Sequence, residues 1–205
     1  MVELLEALTH RRARRSFAAT AVPAEVRDAL WRAVQVAPSH GNAQPMRIIV
    51  ADSDEARARL IHALSAGNQS WAPAAPLLFA LVAIPGHDAV FESSTGETRE
   101  LWAFHAGIAA ANLMAQATEM GLIAHPMASF DEAEARTALS VPPAVRLLVV
   151  FAAGYPGAAD ALPEDLQRRE RSSQERLPME HLVANDCWDA ALGVSARDVR
   201  SARRG

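Results

Sequence analysis

Four short apolar runs set the main constraint on how this chain folds. Each is bounded by proline or glycine, which is typical of buried strands. The runs are residues 46–51, 77–84, 122–126 and 145–153. Helical periodicity behind the helix-starting residues Pro23 and Ser53 predicts helices in between, at 2–10, 24–36 and 54–65. The sequence therefore predicts a mixed α and β fold.

The size and apolar content of the chain favour one domain spanning residues 1–205. Half of its 205 residues are apolar and no linker divides them. The longest apolar stretch, 101–120, also contains His105, Asn112 and Glu119, so we expect a buried core helix and no membrane span. Acidic residues near the start disfavour a secretion signal. We therefore expect a cytoplasmic protein.

The basic residues and the single cysteine exclude several kinds of chemistry. All 20 basic residues are arginine, so a lysine Schiff base and a Walker-A phosphate loop are ruled out. A lone Cys187 excludes an internal disulfide and multi-cysteine metal sites, and no paired-histidine motif predicts zinc. The formal net charge of −4 offers no general attraction to nucleic acid.

Two polar segments are predicted to lie outside the core. Residues 85–98, with Gly86 and Gly96, are interpreted as a loop and a candidate substrate lid. Residues 164–176 carry eight charges in thirteen positions without a clear apolar face. This second segment is either disordered or part of an arm that packs on another surface, with Leu177, Leu182 and Trp188 as anchors. An arm of that kind implies a dimer.

The densest charge cluster consists of Arg11, Arg12, Arg14 and Arg15. Guanidinium groups bind phosphate in a bidentate manner and keep their charge when partly buried, so the cluster suits a phosphorylated ligand. The alternative interpretation is a solvated basic face. A nucleic-acid interface is less favoured because no stacking aromatic residues are interleaved with the arginines.

A second constellation lies in the polar loop Ala37-Pro38-Ser39-His40-Gly41-Asn42-Ala43-Gln44-Pro45. Its side chains offer hydrogen-bond donors and acceptors, and Gly41 permits a positive φ that brings backbone amides close to a planar ligand. A plain connection between a helix and a strand remains the alternative.

Taken in order, these and later segments resemble the FMN-dependent nitroreductase family. The resemblance covers about residues 8–188. It is carried by Arg11-Arg12-x-x-Arg15-x-Phe17, Ala37-Pro38-Ser39, Asn42-x-Gln44-Pro45, Asn68-Gln69, the helix with His105 and Asn112, Pro126-Met127-Ala128-Ser129-Phe130, Gly154-Tyr155-Pro156 and Arg176-Leu177-Pro178. Two departures are Ala13, where a serine is common, and Met46, where an aromatic residue is usual.

The resemblance implies an α+β homodimer with a central mixed or antiparallel sheet flanked by helices. Two FMN molecules would lie in clefts at the subunit interface. An extended C-terminal arm, about residues 156–190, would wrap over the partner subunit, and residues 191–205 would form a flexible tail.

The resemblance also assigns the cofactor-binding residues. The FMN phosphate would be held by Arg11, Arg12 and Arg176. The pyrimidine side of the flavin would meet Arg15 and Asn68, and the ribityl chain and ring edges would meet Pro38, Ser39, His40 and Asn42 of the same or the partner subunit. The segment beside flavin N5 would be Met127, Ala128 and Ser129.

The function implied is transfer of a hydride from NADPH or NADH through flavin N5 to an electron-poor acceptor, such as a nitroaromatic or a quinone. The nicotinamide and the acceptor would use the same site in turn, in a ping-pong reaction. No protein side chain needs to act as an essential acid or base, because the flavin supplies the chemistry. Alternatives are a flavin-consuming benzimidazole synthase, a dehalogenase, an enal or aldehyde reductase, or a flavin-binding protein without catalysis.

Three histidines are expected to lie in different surroundings. His105 is expected to be a core residue of the long helix with its hydrogen bonds satisfied. His40 and His125 are candidates for a wet cleft, with a structural role as the alternative.

Overall fold

The computed structural model describes residues 2–202, with side chains for 2–199. Its helices are α1 (Glu6–His10), α2 (Ala24–Gln35), α3 (Asp54–Ala63), α4 (Ala66–Gln69), α5 (Trp102–Glu119), α6 (Glu132–Ala138), α7 (Glu164–Arg171) and α8 (Ala196–Ala202). Its strands are β1 (Met46–Val50), β2 (Leu77–Ala83), β3 (Val90–Glu92), β4 (Thr98–Glu100), β5 (Ile123–Met127) and β6 (Arg146–Gly154).

The four predicted apolar runs form one antiparallel sheet in the order β1-β2-β6-β5. Each strand pairs antiparallel with its neighbour, and the β2–β6 register shifts between Leu81 and Val82. Helices lie on the sheet, so the expected α+β class with an antiparallel sheet is confirmed.

Strand β2 lies at the centre of the core, and all seven of its residues are buried. Side chains alternate between the faces of a strand. One face of β2 therefore packs with Leu60 of α3 and Ala135 of α6, and the other packs with Leu30 of α2 and Leu113 of α5. The sheet is covered on both sides, which explains why its central strand β2 is apolar throughout.

Helix α5 lies against the sheet through small residues. Ala106, Ala109 and Ala117 are buried beside Leu113, and the short side chains let the helix approach the strands closely. The predicted core helix is therefore present. Within residues 2–202, no helix is long and apolar enough to cross a membrane.

The segment predicted as a loop, 85–98, contains more structure than expected. Strands β3 and β4 pair as an antiparallel hairpin. The Ser93 amide donates to the Glu97 carbonyl at 2.8 Å, and Gly96 turns the chain with φ of +81°. All six strand residues are exposed, so neither strand has a buried face and the sequence shows no alternation of apolar and polar residues here.

The charged segment after residue 163 also departs from expectation, because it begins with helix α7. A single apolar side chain, Leu166, is buried in the core and anchors this helix. Glu164 and Asp165 lie in its first turn, where negative charge is favoured by the helix dipole. One anchor in eight residues is too weak a pattern to read as an apolar face.

By its internal contacts the chain divides into two units, Met1–Glu170 and Arg171–Gly205. The second contains short 3-10 turns at Met179–His181 and Ala190–Gly193, joined by a hydrogen bond from the His181 ring to the Ala191 carbonyl at 2.8 Å. The arm predicted at 156–190 includes residues of both units. The single domain and the swapped arm stay predictions. Residues 203–205 of the predicted tail lie outside the described residues.

Candidate functional site

The segment that carries Arg15 is fixed by a clasp to the end of β6. The Ala18 amide donates to the Tyr155 carbonyl and the Gly157 amide to the Ser16 carbonyl, both at 2.9 Å. A Cβ atom on residue 157 would lie 2.6 Å from the Phe17 carbonyl oxygen, so the close approach requires glycine. The clasp explains how Arg15 reaches the same place as residues near position 160.

Arg15 forms a partly buried ion pair with Glu170 of α7. One carboxylate oxygen accepts from the Arg15 backbone amide at 3.0 Å and from its guanidinium at 3.3 Å. The Glu170 side chain is only 4% exposed, whereas that of Arg15 is 22% exposed. Because the bond uses one side of the guanidinium, the remaining donors of Arg15 can face a ligand.

Arg15 and Asn68 line one cavity of about 420 Å³. Its wall comes from the segment after α1, from α4 and the residues that follow it, and from α7. The lining residues are Arg15, Ala66, Gly67, Asn68, Ser70, Trp71, Pro163, Asp165, Leu166 and Arg169. Two residues that the family resemblance assigned to the same edge of the flavin are thus brought together.

Asn68 also connects this cavity to the segment after β5. Its side-chain amide donates to the Ser129 carbonyl at 3.2 Å, and the Ser65 amide donates to the same oxygen at 3.1 Å. The Asp131 amide donates to the Ala63 carbonyl at 2.7 Å and continues the attachment. Met127, Ala128 and Ser129 therefore lie on a segment that is held beside Asn68.

His125 lies in the buried layer behind the cavity. Its ring is 4.6 Å from that of Trp71, and its Nδ1–H donates to the Arg14 carbonyl at 3.0 Å. The pKa of His125 is lowered from 6.5 to about 4, mainly by burial and also by the nearby charge of Arg15, against the opposing effect of the bond to the Arg14 carbonyl. The structural alternative is thus the correct one for His125, which is a neutral packing residue.

The loop with Pro38, Ser39, His40 and Asn42 is anchored elsewhere, at the start of α5. The His40 amide donates to Nε2 of His105 at 3.1 Å, and the His40 ring meets Phe91 of β3 edge-on, with 5.2 Å between ring centres. The predicted residues therefore form two groups. One group is Arg15, Asn68 and residues 127–129, and the other is the loop at 38–42, which is held by α5 and β3. His105 is a core residue with satisfied hydrogen bonds, as predicted.

The three arginines predicted to hold a phosphate have different surroundings. Arg12 donates to the Thr9 and Arg11 carbonyls and so closes the end of α1. Arg11 is partly buried beside it. Arg176 belongs to the second unit, where it is exposed and donates to the Glu175 carbonyl and the Gln174 side chain.

Sequence reasoning missed three residues that organise the site: Trp71, Glu170 and Asp88. Trp71 was detectable, since it follows Asn68 by three positions, on the same side of a helical turn. Glu170 and Asp88 gave no local signal, because their partners are distant in sequence, 155 residues away for Arg15 and 17 for His105.

The profile of the Nitroreductase family matches residues 8–155. This span includes the Arg15 clasp up to Tyr155, the His40 loop, Asn68 and the segment after β5. The chain belongs to the nitroreductase family.

Individual relatives agree with this assignment. The nitroreductase-family chain is 36% identical over 140 residues to an uncharacterized 15.4 kDa protein of Mycolicibacterium smegmatis, covering 68% of this chain and 89% of that protein. It is 32% identical over 187 residues to an FMN reductase [NAD(P)H] of Bacillus subtilis, covering 85% and 74% respectively. A solved oxidoreductase containing FMN superposes with a TM-score of 0.80 at 26% identity, covering 92% of this chain and 94% of that one. The expected family and fold are confirmed.

The lowered pKa of His125 predicts how the stability of this nitroreductase-family protein depends on pH. Between pH 6.5 and about 4, His125 binds a proton in the unfolded chain but stays neutral in the folded protein. The free energy of unfolding therefore falls as the pH falls through this window. From pH 7 to pH 5 we expect a loss of about 1–2 kcal/mol from this residue. His125→Asn keeps a side-chain donor for the Arg14 carbonyl and cannot titrate, so this part of the loss should disappear.

The measurement is urea unfolding at fixed protein concentration at both pH values. His62→Asn, which removes an exposed histidine from α3, is the matched control and should keep the pH dependence of the wild type. An equal loss in His125→Asn and wild type would contradict the assignment of a neutral, buried His125.

Proposed function

We propose that this chain is an FMN-dependent oxidoreductase that takes reducing equivalents from NADPH or NADH and passes them to a small electron-poor acceptor. Membership of the nitroreductase family supports the class of enzyme and the cofactor. Similarity to a protein named FMN reductase [NAD(P)H] and to a solved oxidoreductase containing FMN supports both. The hydride route and the acceptor class are the finer parts of the proposal.

The convergence of Arg15, Asn68 and Ser129 carries the proposal. These residues are far apart in sequence, yet two line one cavity and the third accepts a hydrogen bond from Asn68. The family resemblance independently assigned them to neighbouring positions around a flavin ring, at its pyrimidine edge and beside N5.

The donors present fit the edge of a flavin. The pyrimidine side of FMN offers carbonyl oxygens and a ring nitrogen as acceptors and one N–H as a donor. A guanidinium supplies donors only, and a carboxamide supplies both a donor and an acceptor, so Arg15 and Asn68 complement that edge. The cavity of about 420 Å³ also lies within the usual range for small-molecule sites, about 300–1,000 Å³.

FMN bound here would supply the redox chemistry, hydride transfer from the nicotinamide and reduction of the second substrate. The task of this chain is to hold and tune that group. Arg15 contributes a positive charge beside the position where negative charge develops on reduction. Glu170 partly neutralises that charge, and the backbone amides at 127–129 would be the donors to N5. Arg11, Arg12 and Arg176 are proposed to bind the phosphate.

The proposal predicts a visible flavin spectrum that responds to nicotinamides. The purified protein, reconstituted with FMN and kept anaerobic, should lose its flavin absorption on addition of NADPH or NADH. Absorption should return on addition of a quinone or a nitroaromatic, because one site serves both half-reactions. Absorption spectroscopy in a stopped-flow instrument measures both steps.

The other outcomes identify the alternatives. Bound flavin that neither nicotinamide bleaches would indicate a flavin-binding protein without this activity or a specialised member of the family. A protein that takes up no FMN would overturn the proposal.

The Arg15–Glu170 pair predicts opposite changes in the flavin midpoint potential. Glu170→Gln leaves the Arg15 charge without its carboxylate, so the reduced flavin is stabilised and the potential should rise by about 30 mV, roughly 1.4 kcal/mol for a two-electron couple. The double variant Arg15→Gln, Glu170→Gln removes the cation and should lower the potential below that of Glu170→Gln by a similar amount. Removing both partners avoids a buried, unpaired carboxylate.

Reductive titration against a reference dye measures these potentials. The matched control is Arg59→Gln with Glu55→Gln, which removes the same two charges from an exposed pair on α3 and should leave the potential unchanged. Equal potentials in the double variant and Glu170→Gln would show that Arg15 does not lie beside the flavin.

We also infer a homodimer, supported by an exposed apolar surface on α1, the end of α2 and α5. Leu8 and Val36 are 56% and 71% exposed. The three helices meet there, since one shallow cavity is lined by Ala7, Val36 and Asn112. Exposed Leu182 and Trp188 of the second unit are anchors that a swapped arm needs. Burial of such side chains by a second copy is favourable because it removes apolar surface from water.

The inferred interface predicts that a charge at Val36 weakens self-association. Val36→Glu adds a carboxylate to a surface that becomes desolvated in the dimer, so the dimer dissociation constant should rise at least tenfold. Sedimentation velocity over a dilution series measures it. Ala133→Glu adds the same charge to an exposed position on α6 and should leave the dimer intact. Equal dissociation constants for the two variants would remove Val36 from the interface.

A further inference from the structure

A buried carboxylate and a buried imidazole connect the β3–β4 hairpin to the loop at residues 39–44. Asp88 Oδ2 lies 2.5 Å from Nδ1 of His105, and their side chains are 1% and 4% exposed. The other ring nitrogen, Nε2, accepts from the His40 backbone amide at 3.1 Å. Three segments that are separate in sequence thus share one line of hydrogen bonds.

This geometry fixes where the proton of His105 lies. A backbone amide can only donate, so Nε2 must act as the acceptor and carries no hydrogen. The neutral ring then has its hydrogen on Nδ1, which donates to Asp88 Oδ2. The second oxygen, Oδ1, accepts from the Ala89 amide at 2.8 Å. Asp88 therefore selects the tautomer of His105 that can receive the His40 amide.

The loop that receives this support has an unusual backbone. Gly41, Asn42 and Gln44 have φ of 57°, 57° and 45°. Asn42 and Gln44 are not glycine, so the left-handed conformation is strained and persists only where surrounding contacts hold it. The loop has an internal bond from the Gln44 amide to Ser39 Oγ at 2.9 Å, and the hairpin adds the contact of Phe91 with the His40 ring. The bond to His105 attaches the loop to the rigid start of α5.

We propose that Asp88 and His105 are positioning residues that set the conformation of the 39–44 loop for FMN binding. This inference rests on the proposed function, which assigns Ser39, His40 and Asn42 to the cofactor. Both side chains are buried, so neither residue is assigned a direct contact with the cofactor. Asp88 acts through the tautomer of His105, and His105 acts through the His40 amide.

Asp88→Asn tests this chain of contacts with almost no change in shape. A carboxamide has one oxygen, so it cannot accept from both Ala89 and His105. The Ala89 and His40 amides can both only donate, so one of them loses its acceptor. The Ala89 bond is the shorter, 2.8 Å against 3.1 Å, so we expect it to be kept while the imidazole hydrogen moves to Nε2. The asparagine oxygen should therefore face Ala89 and its NH₂ group should face Nδ1 of His105. Nε2–H then meets the His40 N–H, and the bond to the loop is lost.

Two measurements follow these steps. Long-range ¹H–¹⁵N correlation spectra of the histidine rings report the tautomer, and the signal of His105 is identified by its loss in His105→Phe. We expect the Nδ1–H form in the wild-type protein and the Nε2–H form in Asp88→Asn. Fluorescence titration with FMN should show a dissociation constant about tenfold higher in Asp88→Asn, the effect of one lost hydrogen bond.

Asp52→Asn is the matched control, since it makes the same chemical change at a side chain that is 80% exposed, and it should leave FMN affinity unchanged. His105→Phe should weaken FMN binding as Asp88→Asn does, and the double variant should bind no more weakly than His105→Phe. An additive loss in the double variant would mean that Asp88 acts by a separate route and would overturn the proposal. The proposal would also be overturned if Asp88→Asn changed the tautomer of His105 but bound FMN with the affinity of the wild type.

The apo protein separates this proposal from the proposed function. If wild-type protein takes up no FMN, the proposed function fails and the cofactor role of the loop fails with it. The ring spectra of the apo protein still test the hydrogen bonds that run from Asp88 through His105 to His40. An Nε2–H form of wild-type His105 would overturn this arrangement even where FMN binds tightly.

Discussion

Burial of β2 on both faces is the constraint on which the rest of the structure depends. An antiparallel sheet usually keeps one face in water, and its strands then alternate apolar and polar residues. Here every residue of β2 is buried, so helices must cover both sides. Helices α2 and α5 cover one face, and α3 and α6 cover the other. Polar segments that a ligand can reach are consequently restricted to the ends of the strands and the connections between helices.

Two buried polar pairs organise those connections. Glu170 attaches α7 to the Arg15 segment, and Asp88 attaches the hairpin to α5 and, through His105, to the His40 loop. Removing one partner of a buried pair is costly, because the other is left desolvated and unmatched. Such pairs therefore specify one arrangement of segments that apolar packing alone would leave adjustable. Both pairs act on residues that the proposed function assigns to FMN.

The sequence predicted the four core strands, three of the helices that cover them (α2, α3 and α5, but not α6), and the sets of residues that carry the family resemblance. It failed where structure depends on few or distant contacts. The β3–β4 hairpin has no buried side chain, and α7 has one buried anchor, Leu166, so neither shows an apolar period. His125 was equally open to a cleft or a structural role, because its burial and its lowered pKa depend on tertiary neighbours, among them Trp71, the Arg14 carbonyl and the charge of Arg15.

What the sequence determined by itself was the class of fold and the kinds of residue available for binding. Apolar periodicity and turn residues act on neighbouring positions, so they can be recognised in a single sequence. Only the tertiary structure decided that Arg15, Asn68 and Ser129 meet, that Glu170 shares the charge of Arg15, and that Asp88 sets the tautomer of His105. Those relations depend on which distant segments the double-sided core brings together, and no local pattern of residues encodes them.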